Sequence, residues 1–128
     1  MSVIGLSTPN TTVYAPVASQ EALQATLTSQ TDLSTKEGII AYIKSKDWND
    51  ELAVKIFNCE SGLNPKALND NPRTGDFSVG IAQINLHGNL AKDRPSKEQL
   101  QDAKFNIDYA YSMYQKSGWK PWSCRVKV

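Results

Sequence analysis

Residues 64–78 hold three Asn, two Asp, two Pro and one Gly, and no long helix can run through such a stretch. Proline lacks an amide hydrogen, and Asn, Asp and Gly favour turns. The segment reads as loop and turn, with room for a short hairpin. On either side the pattern is helical. Ser34-Thr35-Lys36-Glu37 has the form of a capping box, a hydroxyl followed three residues later by Glu. It opens a helix carrying Ile39, Ile40 and Ile43. A second helix begins after Asn49, a good N-cap, runs to about Ser61 and stops at Gly62. Val79 to Leu86 is apolar and reads either as the end of a strand or the start of a helix. Ser96-Lys97-Glu98-Gln99 is a second capping box. A long helix follows from about Ala103 to Ser117, with Ile107, Ala110, Tyr111 and Tyr114 as its inner stripe and Gly118 as its stop. The fold class these elements predict is α+β, predominantly α, with a small hairpin or loop lobe at about 64–80.

Residues 1–33 differ in kind. They are rich in Ser, Thr, Gln and Ala, contain Pro9 and Pro16, and carry only Glu21 and Asp32 as charges. They read as a linker-like or loosely packed N-terminal arm, with a short helix over 19–28. Residues 34–128 form the organised domain. The whole chain has a formal charge of +1, but 34–128 hold 14 basic and 11 acidic residues, a net of +3. That is a mild fit to an anionic polymer such as cell wall and gives no argument for nucleic acid. No apolar run approaches the roughly 20 residues that span a bilayer. The first residues lack the basic segment and long apolar stretch of an intact signal peptide. A trimmed signal and a phage origin both fit that. No metal-ligand cluster or Gly-rich phosphate loop is visible, so no cofactor is expected.

The second helix carries a carboxylate out of place. At about 100° per residue, Leu52, Ala53, Ile56, Phe57 and Cys59 form one apolar arc, with Glu51, Lys55 and Asn58 opposite. Glu60 falls inside the apolar arc, one turn after Ile56 and Phe57. Desolvation there disfavours the charged form, and the carbonyls at the helix C-terminus add to the effect. Both raise its pKa. A carboxylic acid still protonated near neutral pH can serve as a general acid. The competing reading is a Glu that turns outward where the helix frays.

Glu60-Ser61-Gly62-Leu63-Asn64-Pro65 resembles the E-S-x-x-N-P signature of soluble lytic transglycosylases and related lysozyme-like muramidases. Ser78-Val79-Gly80-Ile81-Ala82-Gln83-Ile84-Asn85 resembles the second motif of that family, S-x-G-[LI]-x-Q-I-N. Asn106-Ile107, with the small Ala110 four residues after the Asn, is similar to the third. The resemblance spans roughly residues 36–124. It implies a lysozyme-like fold with a cleft between two lobes, binding alternating N-acetylglucosamine and N-acetylmuramic acid. It makes Glu60 the proton donor to the glycosidic oxygen, and places Ser78, Gln83 and Asn85 near the cleft floor, touching sugar or Glu60. The nucleophile it implies is the muramyl C6 hydroxyl in a transglycosylase and water in a lysozyme. Asp76, two residues before Ser78, departs from the transglycosylase pattern. On an extended strand the two share a face, and Asp76 could act as a second carboxylate. It could equally be a plain turn residue after Gly75.

Cys59 and Cys124 are an even pair, which suggests a disulfide from the tail to the residue beside Glu60; two buried thiols are the alternative. Cys59 with His87, the single histidine, would allow a cysteine peptidase acting on peptide stems. A non-catalytic peptidoglycan-binding module is a third possibility. Tyr109, Tyr111, Trp119 and Trp122 could stack on sugar rings, or pack in the core and pin the tail to the second helix. The expected partner is the peptidoglycan glycan strand, met outside the cytoplasm or from a phage particle. The chain is expected to act as a monomer or as a piece of a larger phage or envelope assembly.

Overall fold

The computed structural model describes residues 32–128. The arm up to residue 31, with its short helix over 19–28, lies outside the described residues. Helix α1 spans Lys36–Lys44. Its N-cap is Thr35, whose hydroxyl accepts from the Gly38 amide at 3.0 Å. Ser34, expected in that place, instead donates its own amide and hydroxyl to the Asp32 carboxylate. The reason is local: Asp32 offers a charged acceptor two residues away, and Thr35 is then free to cap. Helix α2 spans Asp50–Ser61; Asn49 caps it by accepting from the Leu52 amide, and Gly62 ends it at φ 67°.

The turn-dense segment does hold a hairpin. Strand β1, Leu68–Asn71, pairs antiparallel with β2, Asp76–Val79, through a 3-10 turn at Pro72–Thr74. Val79 to Leu86 is no helix: β2 ends there, the chain turns at Gly80–Gln83, and β3, Ile84–Asn85, returns against β2. The sheet order is β1-β2-β3. The second capping box opens a helix of one turn, α3, at Lys97–Leu100. The long helix α4, Ala103–Ser117, has its own cap in Asp102 and ends at Gly118. A 3-10 turn, Ser123–Val126, closes the chain against α2.

One core joins these parts. Ile43, Ile56, Phe57, Val79, Ile81, Ile84, Leu100 and Ile107 are fully buried, so both lobes contribute to it. Trp48 stands among Phe57, Tyr111, Tyr114 and Trp119, with ring centroids 5.2 to 5.6 Å from its own. Phe57 and Trp119 in turn contact Trp122. Trp122 is therefore buried, and Trp119, Tyr111 and Tyr114 are partly buried against the core. On the other side of the helices, Asp108 receives Lys46 at 2.6 Å, Lys104 at 3.0 Å and the Tyr42 hydroxyl at 2.6 Å, linking α1 to α4.

Candidate active site

Glu60 occupies the last turn of α2, where the helix meets the sheet lobe and the tail. Its side chain is half-buried, and one carboxylate oxygen accepts a hydrogen bond from the Cys124 amide at 3.1 Å. Loss of water raises its pKa above the ordinary 4.5; the Cys124 amide and the Lys127 charge pull the other way, and the Asp76 charge adds to the rise. The outward-turned reading of Glu60 is thereby removed. Cys59, placed by the helical wheel in the apolar arc, is exposed instead. Its sulfur is bonded to Cys124 over 65 residues of chain, with a Cα–Cα distance of 6.0 Å. Neither cysteine is a free thiol, so a Cys59–His87 peptidase has no nucleophile.

Asp76 opens β2, and it and Ser78 lie on one face of that strand. The Thr74 hydroxyl donates to Asp76, and the Asp76 charge is the smallest of the influences on the Glu60 pKa. Ser78 is buried between Asn69 of β1 and Asn85 of β3.

The other motif residues bear on the backbone. Gln83 sits at φ 53°, and its side-chain amide donates to the Gly80 carbonyl at 3.0 Å. Asn85 accepts from the amides of Phe77 and His87 and donates to the Gly75 carbonyl. Both ends of its side chain are engaged, so it holds the hairpin, and it also lines a groove on this side. Ser61, beside Glu60, donates to the Ile81 carbonyl at 2.6 Å. Asn106 of α4 is wholly buried; it accepts from the Ala82 amide and donates to the Val79 and Leu100 carbonyls. Trp122 donates to the Ala82 carbonyl at 2.9 Å. Side chains from α2, α4 and the tail thus fasten the turn at 79–83 beside the acid. Gly80, at φ 79°, is required at this joint: a Cβ there would lie 2.3 Å from Asn106 Nδ2 and 2.4 Å from the Leu100 carbonyl.

Two adjoining concavities run along this side. One, of about 210 Å³, is lined by Gln83, Asn85, Arg94 and Trp122 among others; the next, of about 440 Å³, by His87, Asn89, Arg94, Tyr109 and Lys116. Leu90 and Arg94 belong to both. Glu60 lines neither, but the tail links it to the first, with Trp122 in the groove and Cys124 on the carboxylate. The family described as lysozyme like domain matches residues 41–124, more than half of the chain. The chain belongs to this family. No curated protein and no solved structure matches it.

Membership in the lysozyme-like family supports peptidoglycan-directed glycan cleavage as the general chemistry. The α+β architecture, mostly helical with one small antiparallel sheet, agrees with that family. No described helix is long and apolar enough to cross a membrane. The sequence reading missed Arg94, which donates to the Asn85 carbonyl at 2.8 Å and borders both concavities. It also missed the Cys124 amide. An amide is present at every residue but proline, so no side-chain pattern could have marked it; the cysteine pairing was the nearest signal.

Proposed function

We propose that this chain cleaves the β-1,4 bond between N-acetylmuramic acid and N-acetylglucosamine in peptidoglycan, with Glu60 as general acid and then general base. The observation that carries this is a half-buried carboxyl in the last turn of α2, held by the Cys124 amide at 3.1 Å, whose pKa burial raises. Burial keeps Glu60 protonated to a higher pH than an ordinary glutamate, so it can deliver a proton to the bridging oxygen as the C–O bond breaks. The sugar left behind carries oxocarbenium character, and we assign its stabilisation to the Asp76 carboxylate. Glu60, now ionised, then takes the proton of the incoming nucleophile. Ser78 and Gln83 shape the floor beside the acid. Tyr109, with Arg94, lines the groove in which we place the flanking sugars.

The nucleophile is water in a lysozyme and the muramyl C6 hydroxyl in a transglycosylase. Digestion of purified peptidoglycan followed by mass analysis separates them: reducing ends mean hydrolysis, and 1,6-anhydro ends mean transglycosylation. Glu60→Gln is expected to abolish release of soluble fragments while keeping the circular dichroism of the parent. Clearance of cell walls by that variant at the parent rate would sink the assignment. A wall-binding module without chemistry would instead bind peptidoglycan and release nothing from it. The disulfide beside the acid suits work outside the cytoplasm, or delivery by a phage particle.

A further inference from the structure

The end of the chain meets Glu60 from outside the helix that bears it. The Cys124 amide donates to the Glu60 carboxylate at 3.1 Å. The Cys124 sulfur is bonded to Cys59, the residue before Glu60. Both contacts come from the 3-10 turn Ser123–Val126, which packs on α2. That turn is unequally anchored. Upstream, Trp122 is 2% exposed and tied through its indole N–H to Ala82. Downstream, Arg125 to Val128 are all exposed. Between them Cys124 is 5% exposed, and beyond it the Arg125 guanidinium turns back to the anchor, donating to the Trp122 carbonyl. The disulfide ties Cys124 to Cys59, an exposed residue.

We propose that the turn Ser123–Val126 is a positioning element for Glu60, and that the Cys59–Cys124 bridge is a redox-sensitive latch holding it there. This rests on Glu60 being the acid. A dithiol reductant can reach Cys59 without unfolding the chain. Its thiolate attacks the sulfur of Cys59, the exposed residue of the pair, forming a mixed disulfide, and Cys124 leaves as a thiolate that takes up a proton. The second reductant thiol then displaces Cys59, which is protonated in turn, and the reductant departs as a cyclic disulfide. Two electrons and two protons have passed to the protein. Cys124 loses its covalent tie and the exposed residues after it gain freedom to move, while Trp122 stays in the core. Glu60 then loses a fixed N–H donor, and misplacement of a reacting group by about 1 Å can cost on the order of a hundredfold in rate. A chain made in a reducing cytoplasm would carry an unset acid until it reached an oxidising space.

The groups that act on Glu60 are the Cys124 amide, which donates to it, and the charges of Lys127 on the tail and Asp76 on β2. Lys127 favours the ionised carboxylate, so Lys127→Gln raises the Glu60 pKa and moves the alkaline limb of the pH–rate profile upward. A tail that merely clips the fold together would leave that limb in place.

The test uses the full chain on purified peptidoglycan, oxidised and after dithiothreitol, beside the Cys59→Ser/Cys124→Ser double variant. Reduction is expected to slow fragment release at least about tenfold with far-UV circular dichroism unchanged. The double variant is expected to be slow and indifferent to reductant. Equal rates for the oxidised and reduced chains overturn the latch. Global unfolding on reduction also overturns it, since the bridge would then hold the fold and not the acid. An unmoved alkaline limb in Lys127→Gln overturns the positioning role of the tail. Glu60→Gln keeps the two readings apart. If it is inactive while reduction changes nothing, the latch alone fails; if it turns over at the parent rate, the general-acid reading fails first.

Discussion

A carboxyl that loses water on folding keeps its proton to a higher pH than one in the unfolded chain, and two consequences follow for Glu60. The first concerns rate. The acid form is the active one, so turnover falls as pH rises through the raised pKa. Asp76→Asn removes a neighbouring negative charge that raises this pKa, and the alkaline limb is expected to move downward, opposite to Lys127→Gln. A pH–rate profile of each variant checks the sign. The second concerns stability. The folded pKa lies above the ordinary 4.5, so over the window beginning there the folded chain holds a proton that the unfolded chain has lost. The stabilisation is complete below 4.5 and is lost as pH rises through the folded pKa. Glu60→Gln removes the charge that burial opposes and keeps an oxygen for the Cys124 amide. Its melting temperature at neutral pH is expected to exceed the parent's, the usual trade between an active site and stability; a lower one would contradict a costly buried charge. The position of Glu60 on the apolar side of its helix was legible from spacing alone. Asp76 and the Cys59–Cys124 tie could be named from the sequence, but the Cys124 amide and Lys127 could not, because they arrive from a distant segment.

At the scale of the element, the joint between α4 and the turn at 79–83 depends on Asn106. Deleting its side chain leaves the Ala82 amide and the Val79 and Leu100 carbonyls without that partner inside the protein. Unpaired buried groups cost about 1–3 kcal/mol each, so Asn106→Ala is expected to destabilise by roughly 3 kcal/mol or more. In urea, the midpoint should fall with little change in slope. Gly80→Ala meets the same joint from the other side. Its Cβ would press on Asn106 Nδ2 and the Leu100 carbonyl at a positive φ, a cost of about 2 kcal/mol or more. The double variant should lose less than the sum of the two, because Asn106→Ala removes one of the atoms the new methyl strikes. Strict additivity would mean that the two residues do not share this joint. The helix limits at Asn49, Gly62, Ser96 and Gly118 were legible because caps act locally. The Thr35 cap was misread by one residue, since Ser34 and Thr35 carry the same hydroxyl and only the Asp32 carboxylate decides between them. Ser61, Gln83, Asn85 and Asn106 were visible as a pattern, but the pattern does not say whether such side chains face a ligand or the backbone. Most of them face the backbone.

For the whole molecule, the contacts that unite the parts are those furthest apart in the chain. Trp48 carried no signal of its own: it lies between α1 and α2 in a polar stretch, Ser45-Lys46-Asp47-Trp48-Asn49. Yet it is 9% exposed, donates its indole N–H to the Ile43 carbonyl at 2.7 Å, and touches rings from α2, α4 and the tail. Those rings reach on to Trp122, the anchor from which the tail turns toward Glu60. Trp48→Ala removes the centre of this cluster, with an expected cost of about 3–5 kcal/mol. Trp48→Phe keeps a ring but orphans the Ile43 carbonyl, for about 1–3 kcal/mol. Because one core serves both lobes, each variant should still unfold in a single transition, seen at the same urea concentration by far-UV and near-UV circular dichroism. Separate transitions for the helices and for the aromatic signal would mean that the tail and its rings form a unit of their own. The sheet lobe would then owe its stability to Asn106 and the turn at 79–83 alone.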